Sequence, residues 1–512
     1  NVNDYSIQGG FKGKSGAWDY DIGHVYGINT IKFNVSNSLN ASLPTSPNNP
    51  TQFYCGELLF NQNTTNFDVR REFKFNSFIT SLNTAFGVEH RVDNYQIQPG
   101  ELLSYSDGGV AGKLPGAQVF SGYKPKNSLN KSRNNKAIYA DFEANFGPRL
   151  LLEAAGRLED YSDFGTNFSY KFAGHYKFYR DYNVRGAIAT GFRAPSLHQR
   201  YFNNESTQFV SGVPLQILTV NNDDPIVRAF GIGSLKAETS NSYSIGLAGK
   251  ISDMFSFTID AYQIDVKDRI VLSSQFQREV GGGPISTALT NAGAPNDINA
   301  VQFFTNAVST KTKGLDIVLT HRMSIGSKGD KLALAAALNF NDTKAGDLIT
   351  SNLIANDPAL TNNLFNRLER SRLEVAVPKS KINISANYTH KKWSLLARTV
   401  RFGEVSYVNP IDPASSTLVP SAIDQTFAAK WVTDLTVNYQ FTKEFNFALG
   451  VNNIFDVYPD MSYIDPRNNQ NNLTDYTTTR DNTGNGRFMY NRNVQQFGFN
   501  GRFMFCKVAY TL

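Results

Sequence analysis

Apolar and polar residues alternate with a period of two along most of this chain. The clearest stretch is Trp431–Phe441. Trp431, Thr433, Leu435, Val437, Tyr439 and Phe441 fall on one face, and Val432, Asp434, Thr436, Asn438 and Gln440 on the other. Such alternation predicts a β-strand with two unlike faces. The same ladder recurs at Ile138–Phe146, Leu150–Leu158, Tyr182–Thr190, Tyr243–Gly249, Leu332–Phe340, Ile382–Tyr388 and Phe445–Asn452. Each is about ten residues, the length a tilted strand needs to cross a bilayer. The apolar stripe Met504, Cys506, Val508, Tyr510 and Leu512 suits a lipid-facing strand.

The connections sharpen this reading. About 17 strands are expected, and their links alternate between short and long. Short links fall near Gly13–Gly16, Asn76–Ser81, Gly147–Arg149, Tyr179–Asp181, Ser252–Met254, Gly326–Asp330, His390–Lys392 and Thr442–Glu444. Long ones are expected over Ser36–Asn66, Gln98–Lys136, Ala194–Thr239, Ser274–Ser309, Ala345–Lys379, Gly403–Lys430 and Pro459–Gln495. The exception is Ser162–Asn167, a short link where a long one is due. Compact soluble folds seldom carry so many long loops. Outer-membrane barrels have short turns on one side and long loops on the other. The expected fold is all-β: a transmembrane antiparallel meander β-barrel.

Composition agrees. Charged residues make up 18% of the 512, against about 25% in soluble chains. A barrel needs less charge, because one face of every strand meets lipid. No run of 18 apolar residues marks a membrane helix. The formal net charge of +6 allows basic loops to meet an anionic lipid surface. No nucleic-acid module is present. Cys55 and Cys506 lie far apart, and six scattered histidines show no metal spacing. Neither a cofactor nor an enzymatic centre is expected.

Five segments carry a resemblance. Gly191–Leu197 reads Gly-Phe-Arg-Ala-Pro-Ser-Leu, and Leu235–Glu238 reads Leu-Lys-Ala-Glu before a strand through Gly246. Thr312–Asp316, Val451–Tyr458 and Phe497–Phe503 follow. In this order the segments resemble the barrel of TonB-dependent outer-membrane receptors, across essentially the whole chain. The resemblance implies a barrel of about 22 strands with a plugged lumen. It implies that residues 1–512 are the later part of that barrel, with the plug and first strands outside this chain. It further implies import of a scarce nutrient, of the iron-siderophore, cobalamin, haem or glycan class. The partners would be outer-membrane lipid, the plug, the TonB energy-transducing complex and the extracellular ligand. The alternative is a passive porin without a plug.

Two groups of residues are candidates. Arg200, Tyr201 and Phe202 follow the Arg-Ala-Pro segment, and Arg401, Phe402 and Tyr407 sit at another rim. Rings there can stack on a flat ligand and arginines can pair with an acidic chelate; an aromatic girdle at the lipid interface is the plainer account. Glu143, Glu153, Arg157, Glu159 and Arg185 fall on the polar face by phase. They would hold a plug weakly, or simply solvate the lumen.

Overall fold

The computed structural model describes residues 1–210, 213–326, 329–408, 424–463, 482, 488–494 and 496–511. Its frame is one antiparallel meander of 17 strands: β1 (Val2–Ser15), β2 (Trp18–Ser36), β3 (Gln52–Lys74), β4 (Ser81–Gln98), β5 (Leu129–Phe146), β6 (Leu150–Tyr161), β7 (Gly165–Tyr179), β8 (Tyr182–Arg193) and β9 (Glu238–Ser252). The series continues with β10 (Phe255–Leu272), β11 (Ala300–Ile325), β12 (Asp330–Leu348), β13 (Ser380–His390), β14 (Trp393–Phe402), β15 (Lys430–Gln440), β16 (Phe445–Asn452) and β17 (Phe503–Tyr510). Every strand pairs with its successor in this order. Among the described residues, β1 and β17 are the two edges of the sheet.

Register makes the two faces continuous, because residues paired across an antiparallel ladder share a face. One row runs Phe11–Ile22–Phe67–Val88–Ile138–Leu158–Phe168 across seven strands. All seven side chains are exposed and apolar. Further round, Leu334, Ile384, Leu395, Trp431, Leu449 and Val508 lie exposed on the same face. An apolar face of this extent is stable only against hydrocarbon or a partner. The opposite face carries the ion pairs described below. Among the described residues, no helix is long and apolar enough to cross a membrane.

In a meander, odd-to-even links lie at one end and even-to-odd links at the other. The odd-to-even links are all short, such as Gly147–Arg149. The long loops all follow even strands, and the short β6–β7 link is the one exception. Several strands are longer than the expected ten residues: β3 has 23 and β11 has 26. The loop expected over Ser36–Asn66 is therefore only 37–51, and Cys55 lies buried within β3 rather than in a loop. Toward the long-loop end both faces of these strands are wetted or covered by loops, so the alternation that marks a strand fades there. β17 covers most of the apolar stripe that begins at Met504, and 497–502 before it is irregular. Most of the expected loop Pro459–Gln495 lies outside the described residues.

The long loops have a core of their own. A hairpin of Asn204–Val210 and Val213–Val220 pairs in parallel with the upper end of β11, Ile217 opposite Ala300. Short helices at Pro225–Ala229, Pro284–Asn291 and Pro358–Leu364 gather over it. Phe230, Phe276, Phe303, Leu289, Ile354 and Leu364 are fully buried in one cluster drawn from three loops. The three phenylalanine rings lie 4.9–5.8 Å apart.

Candidate functional site

The loop after β8 begins with the segment singled out in the sequence. Arg193 closes β8 and forks onto Glu238, which opens β9; Nε lies 2.9 Å from Oε2. Glu238 also accepts the Ile270 amide at 2.7 Å. The Arg-Ala-Pro and Lys-Ala-Glu segments are thus the two halves of one clamp at the foot of a long loop. Pro195 offers its carbonyl to Arg133 at 2.6 Å. Ser196 caps the helix Leu197–Tyr201, its hydroxyl accepting the Gln199 amide while the Gln199 side chain accepts from the Ser196 amide. That reciprocal cap is why the chain turns into a helix here.

The three candidates on that helix are drawn inward. Arg200 bonds the Asp163 carboxylate at 3.2 Å and reaches Asp223 at 3.4 Å. Tyr201 lies 5.1 Å below the Arg200 guanidinium and 5.4 Å from the exposed Lys131 ammonium. Phe202 stacks on His198 with centroids 4.7 Å apart. Tyr201 and Phe202 pack on the cluster of Tyr95, Ile97, Tyr123 and Leu197, and His198 meets the Tyr95 ring edge-on at 5.7 Å. Burial pushes the His198 imidazole below its ordinary value. Behind the helix, Arg133 meets Asp93 at 2.9 Å, and the Tyr161 ring lies 5.8 Å from the Arg91 guanidinium and 5.3 Å from that of Arg133. Lys124 and Lys126 both pair with Glu205 and hold its carboxyl below the usual range despite burial.

The second set is not brought together. Arg401 pairs in register with Ile382 and Trp431, so it lies on the apolar face, bonded to the Ser380 hydroxyl at 3.3 Å. Phe402 faces the other way, with the Lys381 ammonium 5.1 Å above its ring and Phe497 5.3 Å away. Tyr407 belongs to the small hairpin Val405–Tyr407 and Gln425–Phe427, packed on Ala376 and Val494.

Of the polar-face candidates, Glu153, Arg157, Glu159 and Arg185 are ion-paired, and Glu143 is hydrogen-bonded to an amide. Asn83 donates to Glu143 at 2.9 Å, and Lys171 reaches both oxygens of Glu153 at 2.7 and 2.9 Å. Arg157 pairs with Glu159 and with Glu89, and Glu159 accepts from Asn135 and Tyr161. Arg185 forks onto Asp260, its Nε 2.8 Å from Oδ1. Gly246 lies directly under that fork; a Cβ there would sit 2.0 Å from the Asp260 carboxylate. The Arg398–Asp434 pair was not singled out in the sequence, although Asp434 has the same phase. Asp434 also accepts the Asn453 amide, which ties the Val451–Tyr458 segment to the wall. A face lined by such pairs is wet and weakly adhesive, because the paired charges already have their partners.

Comparison with known proteins places this arrangement. Residues 1–454 match the family described as TonB dependent receptor-like, beta-barrel. The chain belongs to that family. A curated relative, the ferric enterobactin receptor PirA of Pseudomonas aeruginosa, is 27% identical over 170 residues, which is 33% of this chain and 22% of the relative. Among solved structures, a mutant of the ferric enterobactin receptor PfeA from Pseudomonas aeruginosa matches with a TM-score of 0.63 at 15% identity. That match covers 99% of this chain and 61% of the receptor. The siderophore receptor PirA from Acinetobacter baumannii gives a TM-score of 0.61 at 15% identity, covering 99% and 62%. The ferripyoverdine receptor of Pseudomonas aeruginosa gives 0.57 at 13%, covering 99% and 56%. These likenesses establish the fold: the 17 strands are barrel wall, the polar face is the lumen and the apolar face meets lipid. The chain spans under two thirds of the length of each of these proteins.

Proposed function

We propose that this chain is the wall and mouth of a TonB-dependent receptor that imports a ferric siderophore across the outer membrane. The observation that carries the proposal is the family match over residues 1–454, on a wall whose long loops share one end. The siderophore class is supported by the names of the relatives and by the mouth, where exposed Lys131 stands beside the Tyr201 ring. A cation next to a ring suits a flat, acidic chelate. The proposal includes a plug seated against the paired charges of the lumen and engagement of TonB from the periplasm, through sequence outside these 512 residues. Compensated pairs suit a plug that must shift, since they bind it without a strong net field.

The test is uptake of radioactive iron by iron-starved cells. Ferric enterobactin and a ferric hydroxamate serve as separate probes, with and without the gene. Loss of uptake of either chelate on deletion, and its collapse under a proton uncoupler, is the expected result. Uptake that survives the uncoupler would replace the receptor with the passive channel.

A further inference from the structure

Toward its short-turn end the lumen wall has two unlike sectors. From β1 to β7 its charges are matched. Lys12 meets Asp21 at 2.8 Å, Lys14 and Arg70 meet Asp19 at 3.3 and 3.5 Å, and Lys171 meets Glu153 at 2.7 Å. From β9 to β15 the wall changes character. One register row runs Lys250–Ser256–Thr320–Ala335–Ser385–Arg398. The next row toward the turns runs Arg322–Ala333–Asn387–Leu396, and the one after it Lys331–Thr389–Ser394–Asn438. The phase that puts Arg398 and Asn438 on the lumen face puts all three rows there. Most of their side chains are short, and polar groups are tied to each other. Ser256 and Thr320 share a bond of 2.6 Å, and Ser394 donates to Asn387 at 2.8 Å. Such a wall is smooth and offers little for a neighbouring surface to grip.

Three cations stand out from it. Lys250, Arg322 and Lys331 are exposed, and their side chains make no ion pair or hydrogen bond among the described residues. The nearby carboxylate in register with Arg398, Asp434, is already held by that arginine at 2.5 Å. The three cations descend in order. Arg322 lies two strands on from Lys250 and one row lower, and Lys331 one strand further and one row lower again. With strands about 4.8 Å apart and rows about 7 Å apart, the backbone steps are roughly 12 and 8 Å. Long side chains span such steps, so an anion leaving one cation is already within reach of the next. The lowest, Lys331, adjoins the short β11–β12 turn, on the periplasmic side of an outer-membrane barrel.

We propose that this sector is the exit path of the transported chelate, and that the chelate is anionic. Lys250, Arg322 and Lys331 pass it down the wall in that order. The matched sector opposite gives an anion no net attraction, whereas three unmatched cations on a smooth wall hold it briefly at each step. The assignment rests on the transport function proposed for the barrel.

The test uses the full-length gene returned to cells that lack their own copy. Wild-type cells should take up radioactive ferric enterobactin, which is anionic, in preference to an uncharged ferric hydroxamate. The triple variant Lys250→Gln, Arg322→Gln, Lys331→Gln should lower the maximal uptake rate about tenfold, the smaller end of what a one-sign field gives. Binding of the chelate to de-energised cells should be unchanged, because the loops lie at the other end of the wall. Lys391→Gln, which removes a cation from a turn tip, should leave uptake at the wild-type rate. If the triple variant does not fold, as judged by heat-modifiable gel mobility, Arg322→Gln alone carries the test with a partial loss. A wild-type uptake rate in the folded variants would overturn the exit path. So would a loss accompanied by entry of a bulky antibiotic that the outer membrane normally excludes, since the cations would then be a clamp for the plug. Energised uptake of the uncharged chelate alone would also overturn it while leaving the transport function standing. Uptake of neither chelate would remove the transport function itself, and the exit path with it.

Discussion

At the scale of single residues, the Arg193–Glu238 clamp makes the sharpest prediction. Glu238 is 8% exposed, so removing Arg193 leaves a nearly buried carboxylate with only the Ile270 amide. Arg193→Ala should cost about 1–2 kcal/mol, less than a fully buried pair because half of the arginine is in water. The double variant with Glu238→Gln should recover part of the loss, measured as the urea midpoint in lipid vesicles. A second prediction concerns pH. Burial keeps the His198 imidazole below 6.5, so the folded loop takes up a proton less readily than the unfolded one. The stability from His198 is complete above that value and declines as pH falls through it. Glu205 is shifted down from 4.5, so its contribution is lost only in more acid solution. Protease nicking near 197–205 should increase from pH 7.5 to 5, and His198→Gln should abolish the change. Sequence alone named Arg193 and Glu238 as parts of motifs, and it placed Glu143, Glu153, Arg157, Glu159 and Arg185 on the polar face by phase. It could not assign Arg200, because the acids that hold it, Asp163 and Asp223, lie 37 and 23 residues away. No local pattern joins residues so far apart.

At the scale of elements, strands and loops obey different rules. A strand in the wall is amphipathic with period two, and that is why β12, β13, β15 and β16 were legible. Leu449 is 55% exposed on the lipid side. Leu449→Arg should cost about 2–4 kcal/mol if it lies near the midplane, whereas Asn438→Arg, on the lumen face, should be tolerated. Folding yield into vesicles separates the two, and equal losses would mean that the faces are misassigned. The loops carry no such period. Phe230, Phe276, Phe303 and Ile354 look like stray apolar residues until the loops are stacked, and only then is their common core visible. Phe276→Ala should cost that core about 3–5 kcal/mol. Amide exchange should then rise together in 225–232, 284–298 and 352–364. Exchange that rose in one loop alone would show that the loops fold independently.

At the scale of the whole molecule, one sheet fixes which side each loop meets. Lys391 lies in the short β13–β14 turn, and Asp297 in the long loop before β11. In intact cells, an impermeant thiol reagent should label Asp297→Cys and leave Lys391→Cys untouched until the outer membrane is opened. The native thiols should stay silent, since Cys55 is buried and Cys506 points into hydrocarbon. Reversed labelling would invert the barrel. The count of strands and the side of each loop were legible because a meander converts chain order directly into position. The contacts between loops were not, because they depend on which distant segments meet above the wall.

The welded loop core has an immunological consequence. Its surface is assembled from the segments after β8, β10 and β12 and the upper end of β11, and no one of them carries the surface alone. An antibody raised against intact cells would therefore read a discontinuous epitope. It would bind the native protein, fail on a denaturing blot, and ignore synthetic peptides copied from any single loop.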